Sequence, residues 1–80
     1  MTYLAVFRSR AQALDFHSAL KTAGVPAQAI STPREARVGC GISVKFDERF
    51  LSRARFVLGG KRYSAFSGLM KSGVNGFFYL

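Results

Sequence analysis

Apolar and polar positions along the chain fall into short blocks with different periods. Tyr3-Leu4-Ala5-Val6-Phe7 is a continuous apolar, β-rich run, which predicts a central strand covered on at least one face. Ser9 then stands three residues before Gln12, the spacing of a capping box in which hydroxyl and amide each satisfy a free backbone N–H. Ala13, Phe16, Leu20 and Ala23 recur at helical spacing, Gly24 supplies the left-handed stop, and Pro26 prevents continuation. A short strand is predicted over residues 27–31, and Thr32-Pro33-Arg34-Glu35 reads as a turn or loop. Residues 42–46 alternate, with Ile42, Val44 and Phe46 on one face and Ser43 and Lys45 on the other. Asp47 is placed to cap a second helix, whose stripe is Phe50, Leu51, Ala54, Val57 and Leu58 and whose end is Gly59-Gly60. One more strand is expected within residues 61–71, around Tyr63 to Met70. Beyond Gly73 the aromatic tail is either an edge strand or an apolar flap.

The order strand, helix, strand, strand, helix, strand predicts an α+β fold of ferredoxin-like βαββαβ type. Two helices would pack on one face of a small four-stranded antiparallel sheet, with residues 1–71 as the domain and 72–80 as the tail. Parity puts Ile42, Val44 and Phe46 toward the helices together with Leu4 and Val6. Tyr3, Ala5, Phe7, Ser43 and Lys45 would then form an open face, apolar enough to require covering by a ligand or by a second copy in a homodimer.

Composition narrows the class. Eighty residues suffice for one domain, and 49% apolar with 20% charged residues belongs to a folded chain, not a disordered one. Twelve Lys and Arg against four acids give a net charge of +8, which favours anionic partners. A single cysteine leaves no internal disulfide, the opening apolar run that breaks at Arg8 reads as too short for a secretory signal, and no apolar run approaches the roughly 18 residues of a membrane span. The expectation is a cytoplasmic protein in a reducing compartment, without a membrane.

Chemistry concentrates in the stretch from Thr32 to Gly41. A thiol acts as nucleophile or sulfur acceptor only as thiolate, and an ordinary cysteine with a pKa of about 8.5 is mostly protonated at neutral pH. Arg34 and Arg37 would favour the thiolate of Cys40, while Gly39 and Gly41 leave its sulfur uncrowded and Pro33 restricts the loop. Glu35 would oppose the arginines. The plainer alternative is that Cys40, which shares parity with Ile42 and Val44, is a small buried hydrophobe.

Thr32-Pro33-Arg34-Glu35, a short spacer, Gly39-Cys40-Gly41 and a hydrophobic strand together resemble the small bacterial selenium/sulfur-carrier-like proteins. The resemblance covers roughly residues 3–58, including the Phe7–Ser9 helix entry and the Gly24 stop. It implies that Cys40 carries a persulfide or perselenide between a donating enzyme and an acceptor protein, with Thr32, Pro33, Arg34, Glu35, Arg37, Gly39 and Gly41 as its supporting loop. It implies no cofactor and no turnover catalysis. The arginine enrichment and the aromatic tail depart from the family pattern.

Arg49 and Arg53, at i, i+4 on the second helix, and nearby Arg55 form either a solubilising face or a docking surface for an acidic partner. Nucleic acid is the competing partner, with Tyr3 and Phe7 as a base-stacking platform, although Ser43 and Lys45 stand where an RNA-binding sheet displays aromatics. A dimeric adaptor with a silent cysteine is a third class. One Cys and one His cannot make a zinc site within a chain, and His17 reads as a helix-surface residue.

Overall fold

The computed structural model describes residues 1–38 and 41–80. Five strands form one antiparallel sheet in the order β2-β3-β1-β4-β5, where β1 is Thr2–Phe7, β2 Ala27–Ser31, β3 Ile42–Asp47, β4 Phe66–Gly73 and β5 Gly76–Tyr79. Two α-helices, α1 (Arg10–Thr22) and α2 (Leu51–Lys61), connect β1 to β2 and, after a 3-10 turn at Glu48–Phe50, β3 to β4. The fold is therefore α+β with five strands where the sequence pattern allotted four.

α1 begins as its cap residue dictates: Ser9 is extended and its hydroxyl accepts from the Gln12 N–H at 3.2 Å. Only half of the capping box forms. The Gln12 side chain turns away, accepting from Ala65 N–H at 2.8 Å and donating to Ser64 Oγ at 2.9 Å, so it ties α1 to the approach to β4. Gly24, at φ 81°, provides the left-handed turn that ends the helix. Asp47 caps the turn before α2 through the Arg49 N–H. α2 continues through Gly59 and Gly60 and stops at Arg62, whose φ of 50° is left-handed. The glycine pair is thus inside the helix, and the stop falls on a residue with a Cβ.

The orientation of β1 reverses the parity expected from sequence. Tyr3 pairs with Phe46 and Ala5 with Val44 across the β1–β3 ladder, and directly opposed residues share a face. Tyr3, Ala5 and Phe7 therefore pack with Val44 and Phe46 against Ala13, Phe16 and Leu20 of α1 and Ala54 of α2. Phe7 lies at the centre of that layer, its ring 5.5 Å from Phe16, 5.4 Å from Tyr63 and 5.4 Å from Phe66. Leu4 and Val6 face the other way.

That second face is not open. Leu4, Val6 and Met70 are covered by Ala36 and Val38 of the β2–β3 connection, with Ile30 and Phe77 at the margins. The chain supplies its own cover where the sequence pattern called for a ligand or a second copy. Tyr3, 7% exposed, and Phe7, 0% exposed, are buried under the helices and do not form a stacking platform for nucleic acid. β4 carries a bulge opposite Val6 and Phe7, and the adjoining Ser67 Oγ is a buried hydroxyl without a hydrogen-bond partner among the described residues. No helix among the described residues is long and apolar enough to cross a membrane.

Candidate functional site

The connection from β2 to β3 is anchored at its base and folded down across the sheet. At the base, Thr32 N–H donates to the Gly41 carbonyl at 3.0 Å, and the hydroxyls of Thr32 and the fully buried Ser43 lie 2.7 Å apart. Pro33, with φ −68° and ψ 152°, turns the chain into the 3-10 turn Arg34–Ala36, which sets Ala36 into the apolar surface of Leu4, Val6 and Met70. Arg37, at φ 56°, ends the turn in a left-handed conformation. Among the described residues, no atom beyond its chain neighbours comes within 4 Å of the place a Cβ would occupy at Gly41.

β5 holds the loop from the opposite side. The Glu35 carboxylate accepts from the Phe77 N–H at 3.2 Å, and the Tyr79 hydroxyl donates to the Ala36 carbonyl at 2.8 Å. Gly76 leaves room for this contact: a Cβ there would collide with the Glu35 carboxylate, and its φ of 120° suits glycine alone. The Tyr79 ring in turn lies over Gly68, where a Cβ would come within 3.3 Å of it. Glu35's own backbone N–H, then that of Phe77, then the charge of Arg34 hold its carboxyl below the usual glutamate range. Burial pushes the Tyr79 phenol up.

Glu35 is turned toward β5 and engaged by backbone donors. Arg34 and Arg37 are exposed and carry no ion pair among the described residues. Of the expected loop, Thr32, Pro33, Arg34, Glu35, Arg37 and Gly41 are brought together in one connection. Gly39 and the expected chalcogen-carrying residue Cys40 lie outside the described residues.

The arginines expected to dock a partner have unequal roles. Arg53 donates to the Ala23 carbonyl at 3.0 Å, satisfying a free acceptor at the end of α1 and tying the helices together. Arg49 pairs with Asp47 at 3.5 Å and stands over the Phe50 ring at 5.6 Å. Arg55 is exposed without a partner among the described residues. His17 is structural, its Nε2 3.0 Å from the Ala27 carbonyl. Gly76, Phe77 and Tyr79 were not singled out by sequence. The available signal was a glycine before an aromatic run, which marks a close approach of another part of the chain.

The model of the family described as "Putative Se/S carrier protein-like" matches residues 2–65. The chain belongs to this family. No curated protein and no solved structure matches it. The matched part of this Se/S carrier-like chain contains β1, both helices, β2, β3 and the whole loop. β4 and β5, including every β5 group that touches the loop, lie beyond it.

Proposed function

We propose that the protein is a sulfur or selenium carrier that holds a persulfide or perselenide on Cys40 for transfer between partner enzymes. Membership of the carrier-like family is the observation that carries this reading. The held loop, with its carboxylate engaged by β5 and its two guanidinium groups unpaired among the described residues, supports it. Loading is a thiolate exchange: the Cys40 thiolate attacks the terminal sulfur of a donor enzyme's persulfide, one S–S bond forms as another breaks, and the donor leaves as thiolate. The sulfur keeps its oxidation state, so no external oxidant or reductant is required. Delivery repeats the exchange on an acceptor thiolate, and selenium follows the same course.

In this reading Arg34 and Arg37 lower the cost of the thiolate, and Gly39 and Gly41 keep the sulfur accessible. Thr32, Pro33 and Glu35 fix the loop. Arg49, which lies in the 3-10 turn before α2 and not on the helix, and Arg53 and Arg55 of α2 would meet an acidic donor or acceptor, with Arg55 as the cation most available to a partner. The four strands nearest the helices form a ferredoxin-like unit to which β5 is appended. A thiol carrier of this kind works in the reducing cytoplasm.

The test is intact mass after incubation with a small persulfide donor. The carrier gains one sulfur per chain, reversibly by thiol reductant, and Cys40→Ser gains none while keeping its fold. A protein that takes up no sulfur, with Cys40 labelling only after denaturation, contradicts the reading and leaves the cysteine a silent core residue.

A further inference from the structure

Gly59 and Gly60 lie in the last turns of α2, where each weakens the helix relative to alanine. Neither has the usual reasons for glycine. Neither is among the residues with positive φ, and no atom comes within 4 Å of the place a Cβ would occupy at either position. Among the described residues nothing requires a glycine at either position. One turn earlier on the same helix, Phe56 is 81% exposed, an aromatic ring with no place in either core cluster.

Phe56 and Gly60 belong to a groove of about 430 Å³ between the helices, walled on α1 by Asp15, Ser18, Ala19 and Thr22 and on α2 also by Val57 and Lys61. Small residues line it on both helices, beside the exposed ring of Phe56. Apart from Asp15, the charges of α2 that flank it are basic. No acidic residue occurs from Arg49 to the end of the chain, and Arg53 and Arg55 adjoin Phe56 along α2. The groove's own carboxylate, Asp15, accepts from Tyr63 Oη at 2.6 Å and Lys61 Nζ at 3.2 Å, so its charge is paired with that of Lys61.

We propose that the α1–α2 groove is a docking site for an acidic polypeptide segment that places a bulky apolar side chain beside Phe56, over the bare backbone of Gly60. Charge complementarity selects the acidic partner, and the glycines admit its close approach. A nucleic-acid backbone could meet the arginines but would leave the Phe56 ring and the apolar lining of the groove uncovered. This surface adds Phe56, Gly59 and Gly60 to the arginines of α2 and does not depend on the chemistry of Cys40.

Two measurements on the full chain decide the matter. Gly59→Ala and Gly60→Ala are expected to raise the unfolding temperature by roughly 4–8 °C each, since helix propensity rises with no packing lost. A fall in either would give the glycine an internal role and overturn the argument. Binding is then probed by amide NMR with a synthetic amphipathic peptide of Leu and Glu at helical spacing, its Gln-for-Glu counterpart, and oligouridine. The Leu/Glu peptide should shift α1 and α2 amides around the groove and bind more weakly as salt rises. Phe56→Ser and Gly60→Leu should each cost about tenfold or more in affinity. Tighter binding of oligouridine in the groove, absence of peptide shifts there, or self-association abolished by Phe56→Ser would overturn the proposal.

Discussion

Gly76→Ala attacks the contact on which the loop geometry rests. An alanine at φ 120° occupies a backbone region that belongs essentially to glycine, at a cost of about 1–3 kcal/mol. Its Cβ also runs into the Glu35 carboxylate, so Glu35 must leave the Phe77 N–H and the loop loses one of its two ties to β5. In a domain of 80 residues each kcal/mol is about 4–8 °C of unfolding temperature, so the backbone strain alone predicts a fall of roughly 4–24 °C. Thermal unfolding by circular dichroism measures it. The two effects separate in a cycle: with Glu35→Ala in the background the collision is gone, and Gly76→Ala should cost less than it does alone. An unfolding temperature within about 2 °C of the parent, or a cost unchanged by Glu35→Ala, refutes the reasoning.

The remaining predictions concern other fixed points of the fold. Tyr79→Phe leaves the buried Ala36 carbonyl without its donor, and should cost about 1–2 kcal/mol in urea unfolding and speed amide exchange over residues 34–38. Arg62→Gly relieves a left-handed residue at the end of α2 and should stabilise by about 1 kcal/mol, read from the urea midpoint. Phe7→Ala empties the middle of the aromatic layer and should cost about 3–5 kcal/mol, enough to leave this small domain largely unfolded by circular dichroism at room temperature. On the acid side, hydrogen bonds from Tyr63 to Asp15, from backbone N–H groups to Glu35 and from Arg49 N–H to Asp47 lower all three carboxyls. Their stabilisation is present above the ordinary carboxylate range of about 4 and is lost as pH falls through the lowered folded values. Burial and the Asp15 hydrogen bond raise Tyr63, whose contribution is complete below about pH 10 and declines as pH rises beyond it. Tyr63→Phe should shrink the alkaline decline in a pH series of urea midpoints, leaving the part due to the Tyr79 phenol, which burial also raises.

Where polar and apolar residues alternate, the chain announced its geometry. Ile42, Val44 and Phe46 pack toward the helices as their spacing indicates, and Ser9 and Gly24 bound α1 as their chemistry requires. β1 has no polar residue between Tyr3 and Phe7, so its parity carried no information and was settled by pairing with β3. The cover over Leu4 and Val6 was hidden for a different reason. Ala36 and Val38 sit in a stretch otherwise made of Pro, Arg and Glu, and their burial depends on β5, some forty residues away, as the Glu35–Phe77 contact shows with its separation of 42. Gly59-Gly60 misled because glycine is a stop signal only where the backbone turns left-handed, and here that residue is Arg62. In the candidate site, the residue types of the loop were legible from its motif, while the engagement of Glu35 by a backbone N–H of β5 was not.

The central claim is that the loop carries a working thiol. The rate of Cys40 alkylation in the native protein, followed across pH by intact mass, tests it most directly. The account predicts modification without denaturant and an apparent thiol pKa well below about 8.5. It further predicts that Arg34→Gln and Arg37→Gln together bring that value back up. A thiol that reacts only in denaturant, or that titrates at the ordinary value whatever stands at Arg34 and Arg37, would contradict it.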